Sequence, residues 1–527
     1  MLSLVMSITM LSSVSAKEAS IEYQGVWTDY AAKEYAADDG IKESPYLIKD
    51  ASELALLAKN VNEKEEKDKY YELISDIDLS GHFWNPIGDV KRKLNVFYGG
   101  NYFYGVFEGN NHTIKNLNII QNNPNDDNYY YGLFAWNSGT IQNLNIINAN
   151  IDCDRVSYIG GIASVNEGNI NQCSFDGSVS VSNDVGDIAG IVGRQVNGGT
   201  VNHCKNKAQI KATTQDCDYL GGIVGFNEDG YIKDCVNEGE IIGNNQIGGI
   251  AGENHRTASI INCENIGHIT GNEYAGGITG AAGVLKKDKK EIKYCINIGK
   301  IECNSYGNAI VGALYAASTE CTINLENCYY LETSAKAGYE EYCIKGNYEI
   351  SEIKALSTLK ELVQQEIYKD FDFTNVWKVS KYYPIVKNLD FDESLLEKPN
   401  VHEHSYDILK YDETGHWKEC LCGDKTEKQQ HILEVRNQKQ ATCTEKGEKK
   451  HKCTNKGCDE IWVEEIPALG HDFKDGVCTK CHNQLKGQWK QSGNNWYYVD
   501  VEGKMVTGDY EINGVVNHFD ANGVWIN

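Results

Sequence analysis

A segment of about thirty residues recurs through the middle of this chain and limits the folds open to it. In YLGGIVGFNEDGYIKDCVNEGEIIG (219–243), a glycine pair and an apolar run precede an Asn, a turn, an isolated Cys and Asn-x-Gly. Equivalent glycines recur at intervals of 29, 29, 32, 27 and 28 residues, at Gly132, Gly161, Gly190, Gly222, Gly249 and Gly277. A period of this length is typical of stacked supersecondary units.

Each unit contains three short β-prone runs separated by Asn, Asp and Gly turn signals, for example 222–225, 231–236 and 240–242. These runs lack the 3.6-residue apolar period of a helix. If each run pairs with its copy in the next unit, the product is a parallel β-solenoid of triangular section. The predicted fold class is all-β, a parallel β-helix followed by small Cys/His-rich modules and C-terminal β-hairpin repeats.

The isolated Cys marks one place in six units, always three residues after an apolar residue, and Leu117 and Leu144 take this place in two earlier units. The six are Cys173, Cys204, Cys235, Cys263, Cys295 and Cys328. A place that accepts Leu or Cys is an apolar core place, although disulfides or a metal track are alternatives. Residues three apart in a straight strand face opposite sides, so a bend or bulge must separate the two apolar residues.

Two further patterns predict close contact between coils. Asn206, Asn237, Asn265 and Asn297 stand two places after the Cys, and stacked Asn side chains can share amide hydrogen bonds from coil to coil. The glycine pairs suit a place where the backbone bends sharply or where coils approach too closely for a Cβ.

The repeats resemble the GLUG repeats of bacterial surface proteins and of the N-terminal region of IgA-cleaving metalloproteases. YGLFAWNSGTIQNLNI (131–146) and YLGGIVGFNEDGYIKDCVN (219–237) carry the resemblance, and SPYLIKDASELALLAKNVN (44–62) and VWKVSKYYPIVKN (376–388) are similar to the usual lead-in and exit segments. The resemblance covers roughly residues 40–390. It implies a right-handed β-helix and does not specify an activity.

Two enzyme classes found with this fold need particular residues. The metalloprotease needs a His-Glu-x-x-His helix, which the sequence lacks. Glycosidases need two carboxylates at a fixed separation, whereas the acidic residues here are interpreted as solvated loop residues, as at Asp184, Glu228, Asp229 and Glu253. We expect no enzymatic activity, and a polysaccharide- or cell-wall-degrading enzyme is the rival hypothesis.

The N-terminal residues MLSLVMSITMLSSVSA (1–16) are interpreted as a signal peptide, with Val14 and Ala16 at the cleavage-site positions. No basic residue precedes the apolar core, so the true start is expected upstream; an ordinary buried segment is the alternative. No later apolar run is long enough to span a bilayer. Fifty basic and 75 acidic residues give a net charge of -25, which argues against nucleic acid and anionic membrane as partners.

Seven Cys and seven His lie between His402 and His482, in a pattern typical of zinc ligands. One candidate set is His404, Cys420, Cys422 and His431; a second is Cys443, Cys453, Cys458 and His471; and Cys478 with Cys481 is part of a third. An exported location also permits disulfides, so structural zinc and disulfides both stay open. So short a segment, with few large apolar residues, favours one crosslink or the other over the third alternative, neither. ATCTEKGEKKHKC and IPALGH resemble small Cys/His modules of clostridial-type surface proteins, which imply no activity.

The C-terminal residues have aromatic clusters at hairpin spacing. The faces of such rings can bind sugars by stacking and quaternary ammonium groups by cation–π contact. WKQSGNNWYYVDVEGKMVTG (489–508) resembles a choline-binding or cell-wall-binding repeat. The resemblance implies a ligand site walled by Trp489, Trp496, Tyr498 and Met505. A second copy is degraded, with Tyr510 and Val516 in place of its Trp residues, and a β-hairpin cap without a ligand is the alternative.

These segments predict a secreted, cell-wall-associated surface protein of a Gram-positive bacterium. The solenoid would adhere to a host protein or glycan and the tail would bind a wall polymer such as teichoic-acid choline; a non-binding spacer is a further alternative. The predicted domains are 1–16 (signal peptide), 17–98 (N-terminal cap), 99–335 (β-helix), 336–398 (C-terminal cap and linker), 399–485 (Cys/His modules) and 486–527 (wall-binding repeats).

Overall fold

The computed structural model describes residues 23–526 except 36–38, 65, 94–95, 122–128, 155–157, 184–185, 213–218, 285–288, 317–319, 336, 344–346, 390–393, 395, 397, 400, 402–405, 407, 413, 420–424, 455–457, 459–460, 475–476 and 484–486. The predicted signal peptide and the candidate ligands His404, Cys420 and Cys422 lie outside the described residues. The chain forms two compact units, residues 1–402 and 403–527. Among the described residues, no helix has the length and apolar character needed to cross a membrane.

A helix closes the N-terminal end of the first unit. Asp50 begins the helix Ala51–Glu63 by accepting hydrogen bonds from the backbone of Ser52 and Glu53, as an N-cap residue does. Its apolar face, which includes Leu54 and Leu57, packs into the solenoid core. The neighbouring elements are the 3-10 turn Trp27–Tyr30, the strands Tyr46–Ile48, Tyr70–Leu73 and Ile77–Asp78, and the hairpin Asp89–Lys93 with Val96–Asn101.

The predicted parallel β-solenoid is present from about Val106 onwards, and its coils differ in the number of strands they contain. The coil at 219–243 has five short strands, Tyr219–Gly221, Val224–Asn227, Tyr231–Lys233, Val236–Asn237 and Ile241–Ile242. Each pairs in register with its equivalent in the next coil, for example Ile232 with Ile260. The prediction of three strands is confirmed for the coils 130–153 and 158–181, whose third strands are the long Thr140–Cys153 and Asn169–Val181. It was wrong for the coil at 219–243, where the equivalent run is divided into three short strands.

The solenoid strands belong to two sheets. The eight-stranded sheet of the described residues contains Phe134–Asn137, Ala163–Asn166, Val192–Gln195, Val224–Asn227, Ala251–Asn254, Thr279–Val284, Val311–Ala316 and Tyr339–Cys343. The larger sheet includes Tyr46–Ile48, Tyr70–Leu73 and Ile77–Asp78 and continues through Val106–Glu108, Thr113–Lys115, Asn118–Gln121, Tyr130–Tyr131, Thr140–Cys153, Tyr158–Gly160, Asn169–Val181, Asp187–Ala189, Thr200–Asn202, Lys205–Asn206, Gln209–Ala212, Tyr219–Gly221, Tyr231–Lys233, Val236–Asn237, Ile241–Ile242, Asn245–Gly248, Ser259–Ile261, Glu264–Asn265, Ile269–Gly276, Lys289–Lys293, Ile296–Asn297, Ile301–Asn308, Thr322–Leu331 and Asn347–Leu356.

A residue in the left-handed conformation stands immediately before each Leu-or-Cys place. These residues are Asn116, Asn143, Gln172, His203, Asp234, Asn262, Tyr294 and Asn327, with φ between 49° and 59°. The bend at Asp234 turns both Ile232 and Cys235 inward, where they are buried. The predicted bend between the two apolar residues is therefore confirmed.

The six repeat cysteines form a buried column in the core and are free thiols in this structure. Cys235 Sγ donates to the carbonyl of Lys233 at 3.1 Å. Burial in the apolar core raises the pKa of the Cys235 thiol well above its usual value, so the thiol stays protonated. These cysteines therefore act as small apolar core residues, as predicted.

The predicted Asn ladder runs along the solenoid and packs against the glycine pairs. Asn206, Asn237 and Asn265 each donate from Nδ2 to Oδ1 of the next Asn at 2.8 Å, and the last acceptor is Asn297. A Cβ on Gly249 would lie 2.2 Å from the carbonyl oxygen of Gly277 and 2.3 Å from Asn265 Oδ1. Glycine is required here because neighbouring coils leave no room for a side chain.

The segment 359–386 packs on the outside of the last coils. It contains the helix Leu359–Leu362, the 3-10 turn Gln365–Ile367 and the strand pair Trp377–Val379 and Pro384–Val386. Its apolar residues pack against Val236 and Tyr329 of the solenoid. Beneath it lies Glu264, which is 0% exposed and whose carboxylate faces the backbone of Val386.

The second unit consists of small antiparallel sheets, as predicted. They are Ile408–Asp412 with Gly415–Glu419; Leu433–Lys439 with Gly447–Cys453 and Ile461–Ile466; Phe473–Lys474 with Val477–Cys478; Gln488–Ser492 with Asn495–Val499; and Gly508–Ile512 with Val515–Phe519.

The Asn ladder should contribute measurably to stability. In Asn237→Ala, the amide of Asn206 keeps the carbonyl of Ala208 but loses its shorter acceptor, and Asn265 Oδ1 loses the donor Asn237 inside a dry core. We expect the free energy of unfolding to fall by roughly 3 kcal/mol, measured by urea denaturation, because buried polar groups left unpaired are costly. The control is Asn304→Ala, since the exposed Asn304 donates to Asn272 at 3.0 Å, and its effect should stay below about 0.5 kcal/mol. Equal effects would contradict a special role for the buried ladder.

Glu264 should make stability depend on pH. Burial raises its pKa well above the usual 4.5, and the negative charge of Glu238 adds to the shift. The backbone N–H of Val386 and the charge of Lys205 oppose it, and the hydroxyl of Tyr368 is also near. The folded chain keeps a proton that the unfolded chain releases, so this group's contribution is complete below about pH 4.5 and is lost progressively as the pH rises.

Glu264→Gln cannot ionise, so we expect it to be more stable than the parent protein at about pH 8 and equal to it at about pH 4, by thermal denaturation. The control is Glu349→Gln, because Glu349 is exposed, and it should show no such pH-dependent difference. A constant stability difference between Glu264→Gln and the parent protein across this range would refute the assignment.

Candidate metal centres and the aromatic tail

Cysteine and histidine dominate the interior of the segment 406–483. Its buried residues, among those described, are Gly415, His416, Ala441, Cys443, Gly447, Cys453, Cys458 and Cys478. Large apolar side chains of the same segment face outward, with Leu433 48% and Ile461 55% exposed. Burial of apolar surface therefore contributes little to holding this segment together.

The first cluster contains Cys443, His471, Cys478 and Cys481, whose ligand atoms all lie within 4.8 Å of one another. Cys443 lies in the loop after the strand Leu433–Lys439, and Cys478 ends the strand Val477–Cys478. Cys443 Sγ lies 3.8 Å from Cys478 Sγ, and Cys481 Sγ lies 3.3 Å from His471 Nδ1. These atoms can form a closed four-ligand metal set.

The sulfur separation distinguishes the two crosslinks that the sequence left open. A disulfide needs an S–S distance of about 2.05 Å. In a tetrahedral zinc site with Zn–S distances of about 2.3 Å, two sulfurs lie about 3.8 Å apart. The distance of 3.8 Å between Cys443 Sγ and Cys478 Sγ fits the metal geometry.

The surroundings of Cys478 favour the thiolate that metals bind. Desolvation raises the pKa of this thiol, but hydrogen bonds from the backbone of Cys481 and from His471 outweigh it and lower the pKa to about 5. At neutral pH the cluster therefore already holds one thiolate.

The second cluster contains His416, His431 and Cys453, whose ligand atoms also lie within 4.8 Å of one another. Cys458 Sγ lies 3.6 Å from His431 Nδ1. His416 was not among the candidate ligands from the sequence. Its position next to the others depends on backbone pairing with Gln429, which residue spacing does not reveal.

The structure groups the predicted ligands differently from the sequence. Cys443 and His471 join Cys478 and Cys481 rather than Cys453 and Cys458, so the pair that was expected to be part of a third site completes the first cluster. Cys443 and Cys453 lie towards opposite ends of the strand Gly447–Cys453, too far apart to share one ion. His431 is placed with Cys453, and its other expected partners lie outside the described residues.

The tail places three aromatic rings together on its two hairpins. Trp489 and Tyr498 are directly opposite each other, with ring centroids 5.2 Å apart. Trp525, which the sequence analysis did not select, lies 5.4 Å from Trp489. We call Trp489, Tyr498 and Trp525 the aromatic cluster.

The other two predicted wall residues lie beside this cluster. Trp496 pairs with Gln491, two positions from Tyr498 and on the same face of the hairpin, and its carbonyl accepts from the backbone of Trp525. Met505 is 52% exposed and lies against Gly523, in the turn before Trp525. Trp489 is 38% exposed, so the cluster presents aromatic surface to solvent.

One acidic residue of the solenoid differs from its interpretation as a solvated loop residue. Glu253 lies in the strand Ala251–Asn254 and is buried. Its Oε1 accepts from the hydroxyl of Tyr315 and lies 2.6 Å from Nδ1 of His255. That interpretation was wrong because Tyr315, which is distant in sequence, covers the carboxylate.

The remaining acidic candidates stay at turns. Glu228 pairs with Arg256 at 2.8 Å, and Asp229 accepts from the backbone of Gly198 at 3.1 Å. Asp184 lies outside the described residues.

Comparison with protein-family models, with curated proteins and with solved structures finds no match to this chain. The resemblances to GLUG repeats and to choline-binding repeats therefore remain predictions from the residues that carry them.

Proposed function

We propose that this chain is an exported surface protein that acts by binding rather than by catalysis. The solenoid contacts a host protein or glycan, and the C-terminal hairpins bind a cell-wall polymer such as teichoic-acid choline. The observation that carries the proposal is the aromatic cluster, whose three adjoining rings form a surface suited to a cationic or sugar ligand.

The chemistry of the cluster favours a quaternary ammonium group. Such a cation is attracted to the faces of Trp and Tyr, and the thioether of Met505 adds a polarisable contact beside them. Each site of this kind binds weakly, so retention on a wall depends on many polymer repeats presented together.

The solenoid supports the contact role through its stiffness. Each coil is hydrogen-bonded to both neighbours along its strands, and the Asn ladder adds side-chain bonds between coils. Such a scaffold presents surface side chains in fixed positions, so little conformational entropy is lost when a partner binds.

One observation favours the rival hypothesis of an enzyme. A carboxylate that orients a histidine is a common arrangement for a catalytic base, and Glu253 with His255 has this arrangement. Release of soluble fragments from peptidoglycan or polysaccharide by the purified chain, and its loss in Glu253→Gln, would support an enzyme. Absence of fragments at high protein concentration would support the binding role.

We also propose zinc as the crosslink of the first cluster. Three thiolates and one imidazole are a common structural zinc set, and four protein ligands leave no open position for catalysis. The ion would join the loop of Cys443 to the hairpin that carries Cys478, in a segment with little apolar core.

Wall binding should depend on the aromatic cluster. We expect the full chain to sediment with choline-containing Gram-positive cell walls and to be released by free choline. Trp489→Ala removes the ring that contacts both Tyr498 and Trp525, and its affinity should fall roughly 3- to 30-fold, as expected for one cation–π contact.

The control for this measurement is Tyr231→Ala, which removes an exposed aromatic ring from the solenoid instead. Its affinity for cell walls should equal that of the parent protein. Wall binding that neither choline nor Trp489→Ala reduces would contradict the proposed ligand site.

Zinc in the first cluster should be detectable by elemental analysis of protein prepared without chelator. We expect Cys478→Ser to lose about one zinc per chain, because three ligands hold the ion far less tightly. The control is Cys303→Ser, which alters a half-buried solenoid thiol outside both clusters. A parent protein with neither zinc nor titratable thiols in this segment would contain disulfides instead.

A further inference from the structure

The second Cys/His cluster lies between two small antiparallel sheets. His416 comes from the hairpin strand Gly415–Glu419, and Cys453 ends a strand of the neighbouring three-stranded sheet. His431 lies in the connection between them, and Cys458 follows Cys453 in the next loop.

Backbone pairing brings three of these residues together, His416, His431 and Cys453. His416 exchanges two hydrogen bonds with Gln429, both at 2.8 Å, which places His431 two residues beyond the paired position. Leu433 then pairs with Cys453, and Thr454 donates to the carbonyl of Ile432 at 2.9 Å. The cluster is therefore a consequence of the strand register on both sides of His431.

The ring of His431 is oriented as a metal ligand. Its Nε2 lies 2.7 Å from the carbonyl oxygen of Asp412, an acceptor that leaves Nδ1 without the ring proton. Nδ1 lies 3.6 Å from Cys458 Sγ, and Trp462 packs on the ring at 4.4 Å. A ligand histidine commonly donates its other ring N–H to a backbone carbonyl in this way.

His416, His431 and Cys453 have ligand atoms that all lie within 4.8 Å of one another, and Cys458 joins them through its contact with His431, whose length fits a tetrahedral ion. With metal–sulfur distances of about 2.3 Å and metal–nitrogen distances of about 2.05 Å, a sulfur and a nitrogen ligand lie about 3.6 Å apart. The distance between Cys458 Sγ and His431 Nδ1 is 3.6 Å. His416, Cys453 and Cys458 are also buried.

We propose that His416, His431, Cys453 and Cys458 form a second metal site, a Cys₂His₂ site for zinc, that fastens the hairpin 408–419 to the sheet 433–466. Two thiolates and two imidazoles satisfy a tetrahedral zinc ion without any other ligand. This site is independent of the wall-binding role and of the first cluster, with which it shares no residue.

The test is zinc stoichiometry of the full chain, expressed with added zinc and analysed without chelator. We expect two zinc ions in the parent protein and one in His416→Ala. His451→Ala is the matched control, because His451 lies in the same strand as Cys453 but its ring contacts Glu464, at 2.9 Å. This variant should keep both zinc ions. Cys478→Ser should lose the first site and keep the second, so failure of one site is distinguishable from failure of the other.

Cobalt substitution gives a second measurement that does not depend on losing a ligand. His416→Cys keeps four ligands and raises the number of thiolates at this site from two to three, so we expect unchanged stoichiometry and stronger sulfur-to-cobalt charge-transfer absorption. Retention of two zinc ions by His416→Ala, unchanged absorption in His416→Cys, or a Cys453–Cys458 disulfide found by non-reducing mass spectrometry would each overturn the proposal.

Discussion

The solenoid depends on one backbone bend that lets each coil turn two apolar residues, three positions apart, into the same interior. A left-handed residue costs roughly 1–2 kcal/mol. Burying one Ile side chain contributes about 1.5–3 kcal/mol, so the two residues that the bend turns inward outweigh its cost. Asn and Asp tolerate this conformation best, and they occupy the bend at Asn143, Asp234 and Asn262. Because the bend recurs in every coil, each Cys lies above the Cys of the previous coil and each Asn above the previous Asn. The glycine pairs allow the backbones of neighbouring coils to lie close together.

The segment 406–483 of the C-terminal unit has a different source of order. Its strands are short and their large apolar side chains are exposed, so the hydrophobic effect that stabilises the solenoid is weak there. The buried side chains are mainly those that can bind an ion, grouped towards either end of the strand Gly447–Cys453. The two units thus use cysteine in opposite ways: as an inert apolar residue where the surroundings are dry and apolar, and as a ligand where histidine is near.

Much of the solenoid could be predicted from the sequence because its period repeats every contact. The Leu-or-Cys place, the bend and the Asn ladder each recur several times, so a pattern found in one coil can be tested against the sequence of the others. The sequence did not show that this run stays one strand in the coil 158–181 and divides into three in the coil 219–243, because both coils carry a left-handed residue, Gln172 or Asp234, before the Cys. Contacts that do not repeat were the least predictable. His416 lies near His431 because of one strand register, and Glu253 is covered by a tyrosine 62 residues away. Trp525, which follows the second hairpin of the tail, lies against Trp489 of the first.

The in-register stacking of coils also has an evolutionary consequence. Because equivalent residues make equivalent contacts, gene duplication or loss of one complete coil would change the length of the solenoid by one interstrand spacing, about 4.8 Å, and leave the core columns aligned. The solenoids of natural variants should therefore differ in length by whole multiples of this spacing. A single-residue insertion inside a strand would instead shift its side chains to the wrong face, so small insertions should be confined to the turns, where the intervals of 27 to 32 residues already vary.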